Sequence, residues 1–199
     1  INFRGPHDTF MQNFYIVKCG EEAGAVPLRF PDASGRANGT NVDKFHIYGG
    51  NGYSYGLVAN TAGMRICNFV VEGAQTAQVL VQASQVMLDG FHLYTGGIAG
   101  ATAKGLQVGD STHTGINGST IRGRVENCGG GAIDVTYMGW NNDVDLHHFY
   151  LSSTTPTKTD LGYVGTLTTR NQFRLRTTDS GTGSGGTYLP TSAQVAVDM

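Results

Sequence analysis

One phrase of apolar and polar positions keeps returning along the chain: a Phe, any residue, then a branched or aliphatic residue. It stands at Phe14-Tyr15-Ile16, Phe45-His46-Ile47, Phe69-Val70-Val71, Phe91-His92-Leu93, Phe149-Tyr150-Leu151 and Phe173-Arg174-Leu175. Gly123-Arg124-Val125 fills the same slot in a degenerate form. From Phe45 to Phe69 is 24 residues, from Phe69 to Phe91 is 22, and from Phe149 to Phe173 is 24. Three residues before the Phe stands an apolar residue in most copies: Met11, Val42, Ile66, Leu88 and Leu146. A second alternating segment follows later in each period, at Leu57–Ala59, Val79–Val81, Leu106–Val108 and Ile133–Val135. Alternation with period two puts one side chain inside and the next outside. The pattern therefore predicts two or three short strands per repeat, with the six phenylalanines stacked in one interior column.

A period in the twenties is the mark of a solenoid, in which no single coil can bury its own inward face. Leucine-rich repeats would show Leu-x-x-Leu-x-Leu with an Asn ladder, a pattern the sequence lacks. A β-sandwich would place hairpin turns every 8–12 residues without this register. The expected fold is all-β, a right-handed, single-stranded parallel β-helix running through residues 1–199 as one domain, a fragment of a longer chain. Polar and small-residue stretches interrupt the coils at 20–41, 96–103, 110–118, 152–158 and 177–187, where loops would project.

Composition agrees with short strands and tight turns: 30 of 199 residues are glycine, about twice the usual share, and only 14% are charged. A formal net charge of −2 gives no electrostatic reason to expect a nucleic-acid partner. No apolar run is long enough for a membrane span, and no signal peptide is visible. The cysteines, Cys19, Cys67 and Cys128, are odd in number and form no CxxC pair, so buried free thiols are expected rather than a disulfide framework or zinc site.

Segments such as Asn117-Gly118-Ser119-Thr120-Ile121-Arg122-Gly123 and Gly131-Ala132-Ile133-Asp134-Val135 read like coils of the pectate-lyase-like right-handed β-helix superfamily, which the chain resembles. Within it the chain looks most like phage tailspikes and virion fibres, whose coils are similarly rich in Gly, Thr and Asn. The resemblance implies a homotrimer located on a virion or at the cell exterior, with polysaccharide as partner. It specifies no activity by itself.

If the Phe points inward, the residues one and three places after it share an outer face. The first expected column is Tyr15, His46, Val70, His92, Arg124, Tyr150 and Arg174. Its neighbour is Val17, Tyr48, Glu72, Tyr94, Glu126, Ser152 and Arg176. Rings that lie against sugar faces and charged groups that bond hydroxyls make such a strip suited to a glycan. His46, Tyr48, His92, Tyr94, Arg124 and Tyr150 are the candidate glycan-binding residues. Glu72 and Glu126 fall two coils apart, about 9.6 Å at ~4.8 Å per coil, near the upper end of the roughly 6.5–9.5 Å range of an inverting carboxylate pair. They are the candidate catalytic pair, should the chain cut what it binds. On the second segment Val58, Leu80, Gln107 and Asp134 form another outer column, whose apolar members would be exposed in a monomer and so covered by a partner subunit.

Asp143, Asp145, His147 and His148 crowd one segment, but alternation and a bend at the two histidines account for them, and no metal or cofactor is expected. The sequence has no Asp-Asp pair or Gly-His-Gly of the polygalacturonase kind, no clear Arg-x-x-Lys of the pectate-lyase kind, and no phosphate loop or nucleophile elbow. Three readings stand: a spike or fibre domain that binds a cell-surface polysaccharide, a polysaccharide depolymerase (hydrolase or lyase) on the same scaffold, and a structural rod.

Overall fold

The computed structural model describes residues 9–17, 24–30, 39–48, 52–94, 103–128, 130–150, 163–164 and 170–179. These residues form thirteen β-strands and no helix, and so no helix long and apolar enough to cross a membrane. Odd-numbered strands make a seven-stranded sheet: β1 (Phe10–Val17), β3 (Asn41–Tyr48), β5 (Arg65–Glu72), β7 (Met87–Tyr94), β9 (Thr120–Glu126), β11 (Asp143–Tyr150) and β13 (Gln172–Asp179). Even-numbered strands make a six-stranded sheet: β2 (Leu28–Phe30), β4 (Tyr55–Ala59), β6 (Ala77–Val81), β8 (Lys104–Val108), β10 (Ile133–Asp134) and β12 (Tyr163–Val164). All pairings are parallel, and both sheets keep sequence order. The chain thus alternates between two parallel sheets, an arrangement consistent with a parallel β-solenoid.

The corners explain how each coil re-enters the large sheet. Gly39, Gly63, Gln85, Gly118, Asn141 and Arg170 all have positive φ, and each lies two residues before the start of β3, β5, β7, β9, β11 or β13. Glycine occupies three of the six because an L-side chain in this conformation costs roughly 1–2 kcal/mol. The next residue turns inward and is buried at each corner: Thr40, Met64, Val86, Ser119, Asn142 and Asn171. The two asparagines join successive corners. Asn142 Oδ1 accepts from the Ser119 amide at 2.9 Å, and Asn171 Oδ1 accepts from the Asn142 amide and side chain, both at 3.0 Å. A short asparagine ladder is therefore present, though its two members gave no signal in the sequence.

Between the sheets lies one apolar core. The large sheet contributes the rows Val42–Ile66–Leu88–Ile121–Val144–Phe173 and Ile47–Val71–Leu93–Val125, in register from strand to strand. The small sheet answers with Leu28–Leu57–Val79–Leu106–Ile133. Phe14, Phe45, Phe69 and Phe91 line up as expected, with centroid separations of 5.0, 5.0 and 5.5 Å, the first two pairs face to face and the last tilted by 40°.

The phenylalanine column then stops, which corrects the expectation for Phe149 and Phe173. In β1, β3, β5 and β7 the residue just before the Phe (Asn13, Lys44, Asn68, Gly90) has positive φ, a bulge that separates the inward positions by three residues and then two. Strand β9 is one residue shorter and has no such bulge, and the pairing of β7 with β9 slips between Asp89 and Phe91. Gly123 takes the Phe slot opposite Phe91, and a Cβ there would meet the Phe91 ring at 2.4 Å. From β9 onward strict alternation holds. Leu146 and Leu175 continue the column, Phe173 moves to the Val42 row, and His148 turns inward to lie 5% exposed. Phe149 consequently points outward. His147 and His148 lie within a regular strand rather than at a bend.

Val58 and Leu80 also differ from expectation. Their column with Gln107 and Asp134 is in register, yet Val58 is 0% and Leu80 3% exposed within the single chain. They need no second subunit to shield them, so this pair gives a trimer no support. Cys67 and Cys128 are free and buried, while Cys19 lies outside the described residues.

Phe69 is 1% exposed with a ring on either side, so Phe69→Ala leaves a cavity that neighbouring coils cannot close. The expected loss, read by denaturant unfolding, is about 3–5 kcal/mol; a loss below about 1 kcal/mol would contradict the stacked core.

Candidate functional site

The register of the large sheet fixes which side chains share its outer face. One row runs Tyr15, His46, Val70, His92, Arg124, His147, Arg176. Beside it Val17 faces Tyr48, Glu72 faces Tyr94, Tyr94 faces Glu126, and Glu126 faces Phe149. Tyr48 and Glu72 follow the paired Ile47 and Val71, so ring and carboxylate alternate along this row: Tyr48, Glu72, Tyr94, Glu126, Phe149. Of the sequence candidates, His46, Tyr48, Glu72, His92, Tyr94, Arg124 and Glu126 share these two rows.

Tyr150 does not. Its backbone pairs with Asp179, one position beyond the Glu126–Phe149 pair, and its side chain lies outside the described residues, as does Ser152. The missing bulge is the cause: His147 takes the place in the Arg124 row that the repeat assigned to Tyr150, and Phe149 the place assigned to Ser152. Arg176 likewise replaces Arg174, which aligns with Asp145. Sequence reasoning thus overlooked His147 and Phe149, and the one-residue shortening of β9 was the signal that could have found them.

Histidine and glutamate pair diagonally across neighbouring strands, and the pairing recurs two strands later. His46 Nε2 lies 3.7 Å from Glu72 Oε2, and His92 Nε2 lies 2.8 Å from Glu126 Oε2. The first separation is too long for a hydrogen bond, and the buried His46 Nε2 has no hydrogen-bond partner. Glu126 Oε2 is also 3.1 Å from Arg124 Nη2. The Arg124 guanidinium lies 3.8 Å from the Phe149 ring centroid, a cation–π contact, and the His147 ring packs on Phe149 at 3.9 Å. Rings brace the other histidines: Tyr15 and Tyr48 lie 5.9 and 5.8 Å from His46, and Tyr94 lies 6.4 Å from His92. Beneath Glu72 the buried Tyr53 hydroxyl donates to its carbonyl, and burial, then the Glu72 charge, pushes the Tyr53 pKa well up. Burial lowers the His147 pKa, and the nearby Arg176 and Arg124 lower it further.

What the two rows offer is a ladder of half-exposed rings with a carboxylate between each pair, flanked by imidazole and guanidinium donors. Each component recurs every second strand. On the same face a groove of about 350 Å³ lies toward β1, lined by Phe10, Asn41, Asp43, Arg65, Cys67 and Asn68 among others. Arg65 Nε donates to Cys67 Sγ at 3.4 Å there, and Asn68 Nδ2 to Asp43 Oδ1 at 2.8 Å. Among the described residues no group of three or more His, Cys, Asp or Glu side chains could hold a metal ion.

Away from this face, Asp110 organises a corner. Its Oδ1 accepts from the Thr112 amide and hydroxyl and from His113 Nδ1, at 2.8, 2.8 and 2.9 Å, and Gln82 Nε2 donates to Oδ2 at 2.5 Å. With Nδ1–H directed at Asp110, His113 Nε2 is left to accept from Asn60 Nδ2 at 3.4 Å. Each polar group finds a partner here, so the cluster is a brace between coils rather than a reactive site.

No protein-family model matches the chain, and no curated protein or solved structure matches it either.

The Asp110 brace has a pH signature. Burial opposes its ionisation, but the hydrogen bonds from Thr112, Gln82 and His113 prevail and hold its carboxyl well below the usual range. A depressed folded pKa contributes stability above the unfolded value, and that stability is lost as pH falls through the folded pKa. Asp110→Asn should lower the melting temperature at pH 7 and leave the acid limb of a stability–pH curve shallower. An unchanged curve would contradict the brace.

Proposed function

We propose that the chain is a right-handed, single-stranded parallel β-helix whose outer ladder binds a cell-surface polysaccharide, as a tailspike- or fibre-like domain of a virion. The observation that carries this reading is the alternation of ring and carboxylate along Tyr48, Glu72, Tyr94, Glu126 and Phe149. A glycan chain repeats along its length, and so does this row, at about 4.8 Å per strand. One sugar spans about one strand spacing, so successive sugars meet successive side chains when the glycan lies along the stacking direction. Aromatic rings receive the apolar sugar faces, while the carboxylates accept from hydroxyls.

Cleavage is the second reading, favoured by Glu72 and Glu126 sharing one row two strands apart. That spacing would leave room for the water of an inverting hydrolase. Against it, Glu126 is only 12% exposed, and its Oε2 is engaged by both His92 and Arg124. Binding is therefore the reading the geometry favours.

Binding and cutting are separable in one experiment. With a panel of bacterial capsular and lipopolysaccharides, affinity and released reducing ends are scored independently. Tyr94→Ala should weaken binding about tenfold, equivalent to ~1.4 kcal/mol, with the melting temperature unchanged. If reducing ends appear, Glu72→Gln or Glu126→Gln should stop their release while binding persists, since the amide keeps shape but cannot exchange a proton. Unchanged affinity in Tyr94→Ala would move the site off this face.

A further inference from the structure

We propose that the polysaccharide taken by this face is acidic, and that Arg124 and Arg176 receive two of its carboxylates on either side of His147. The inference rests on the glycan-binding reading above and adds the charge of the ligand and the residues that select it. Its ground is the composition of the first outer row, which runs Tyr15, His46, Val70, His92, Arg124, His147, Arg176. Seven stacked positions hold three histidines, two arginines and no acid. From β7 to β13 each of the four is a base, in a chain whose net charge is −2.

The two arginines are held in place yet remain open. Arg124 has its plane set by the Phe149 ring and one edge by Glu126, and is still 44% exposed. Arg176 is 67% exposed, with Nη2 fixed 2.7 Å from Asp145 Oδ1. A guanidinium steadied on one edge presents its other N–H groups in the fork that matches a carboxylate. His147 stands between them, its pKa lowered by burial and then by the nearby Arg176 and Arg124. A neutral imidazole there can bond a sugar hydroxyl without adding repulsion. Arg124 and Arg176 are two strand steps apart, about 9.6 Å, the span of about two sugars. The fitting ligand therefore carries one carboxylate per disaccharide, as a polymer alternating a uronic acid with a neutral sugar does.

The test uses acidic capsular polysaccharides, each beside its own carboxyl-reduced derivative, and neutral ones of similar length. Carboxyl reduction should weaken binding to the wild-type protein at least tenfold. Arg124→Gln combined with Arg176→Gln should weaken the acidic glycan by a similar factor, bringing its affinity down to that of its carboxyl-reduced derivative. Arg124→Lys, which keeps the charge and loses the fork, should fall between. A melting temperature equal to wild type shows that these exposed substitutions leave the fold intact. Equal affinity for acidic and reduced forms would overturn the inference while sparing the glycan-binding reading. Sensitivity to reduction without sensitivity to the arginine variants would overturn the assignment to Arg124 and Arg176. Binding to no member of the panel would bring down both readings together.

Discussion

In a parallel ladder the backbone groups of each strand bond, alternately, to the strands on its two sides, so like positions lie over one another about 4.8 Å apart. That constraint governs the rest of this protein. An inward position filled by Phe in one coil must meet whatever the next coil offers at the same height, and one residue more or fewer between two inward positions forces a bulge or a slip. The first four strands of the large sheet carry the extra residue as a positive-φ bulge at Asn13, Lys44, Asn68 and Gly90. Strand β9 omits it, and Gly123 makes the exchange possible by leaving room for the Phe91 ring. The large sheet is therefore two regular ladders joined at one seam, with the apolar core continuous across it.

The same constraint turns a folding pattern into a surface. Outer positions stack as inner ones do, so a residue type repeated in sequence becomes a row in space. Histidine followed two residues later by an aromatic recurs in β3, β7 and β11, and glutamate holds the second of these positions in β5 and β9. Alternating strands thus interleave rings with acids, and each glutamate lies diagonally beside the histidine of the preceding strand. Such a face has a built-in repeat, the feature on which the proposed binding of a repeating ligand rests. The seam adds a change of character: beyond β7 the row of bases takes up arginine, and Phe149 supports Arg124 from the neighbouring row.

Much of this was legible in the sequence, because the period of the repeat is written directly in its apolar spacing. The first four phenylalanines, the second-sheet columns from Val58 to Asp134, and the outer placement of His46, Tyr48, Glu72, His92, Tyr94, Arg124 and Glu126 all follow from counting residues. Counting failed where two copies of the phrase looked alike but sat on different backbones. Phe149-Tyr150-Leu151 matches the repeat letter for letter, yet β11 pairs with the unbulged β9, and alternation turns His148 inward instead of Phe149. The burial of Val58 and Leu80 was invisible for another reason: period-two alternation says which face a residue occupies, not what else the chain lays over it. The asparagine brace of Asn142 and Asn171 depends on side-chain bonds across a corner, which no period reports.

The register beyond the seam decides whether His147 or Tyr150 stands beside Arg124. Disulfide trapping reads this directly, since a bridge needs Cα atoms about 4.4–6.8 Å apart. In a background with Cys19, Cys67 and Cys128 replaced by serine or alanine, paired cysteines at 124 and 147 should oxidise to an intramolecular disulfide without loss of structure. Cysteines at 124 and 150, three strand positions out of register, should stay reduced. Ready bridging of 124 to 150 and none of 124 to 147 would mean that the bulge persists through β9, that Phe149 faces inward, and that the outer rows proposed to bind glycan are wrongly composed.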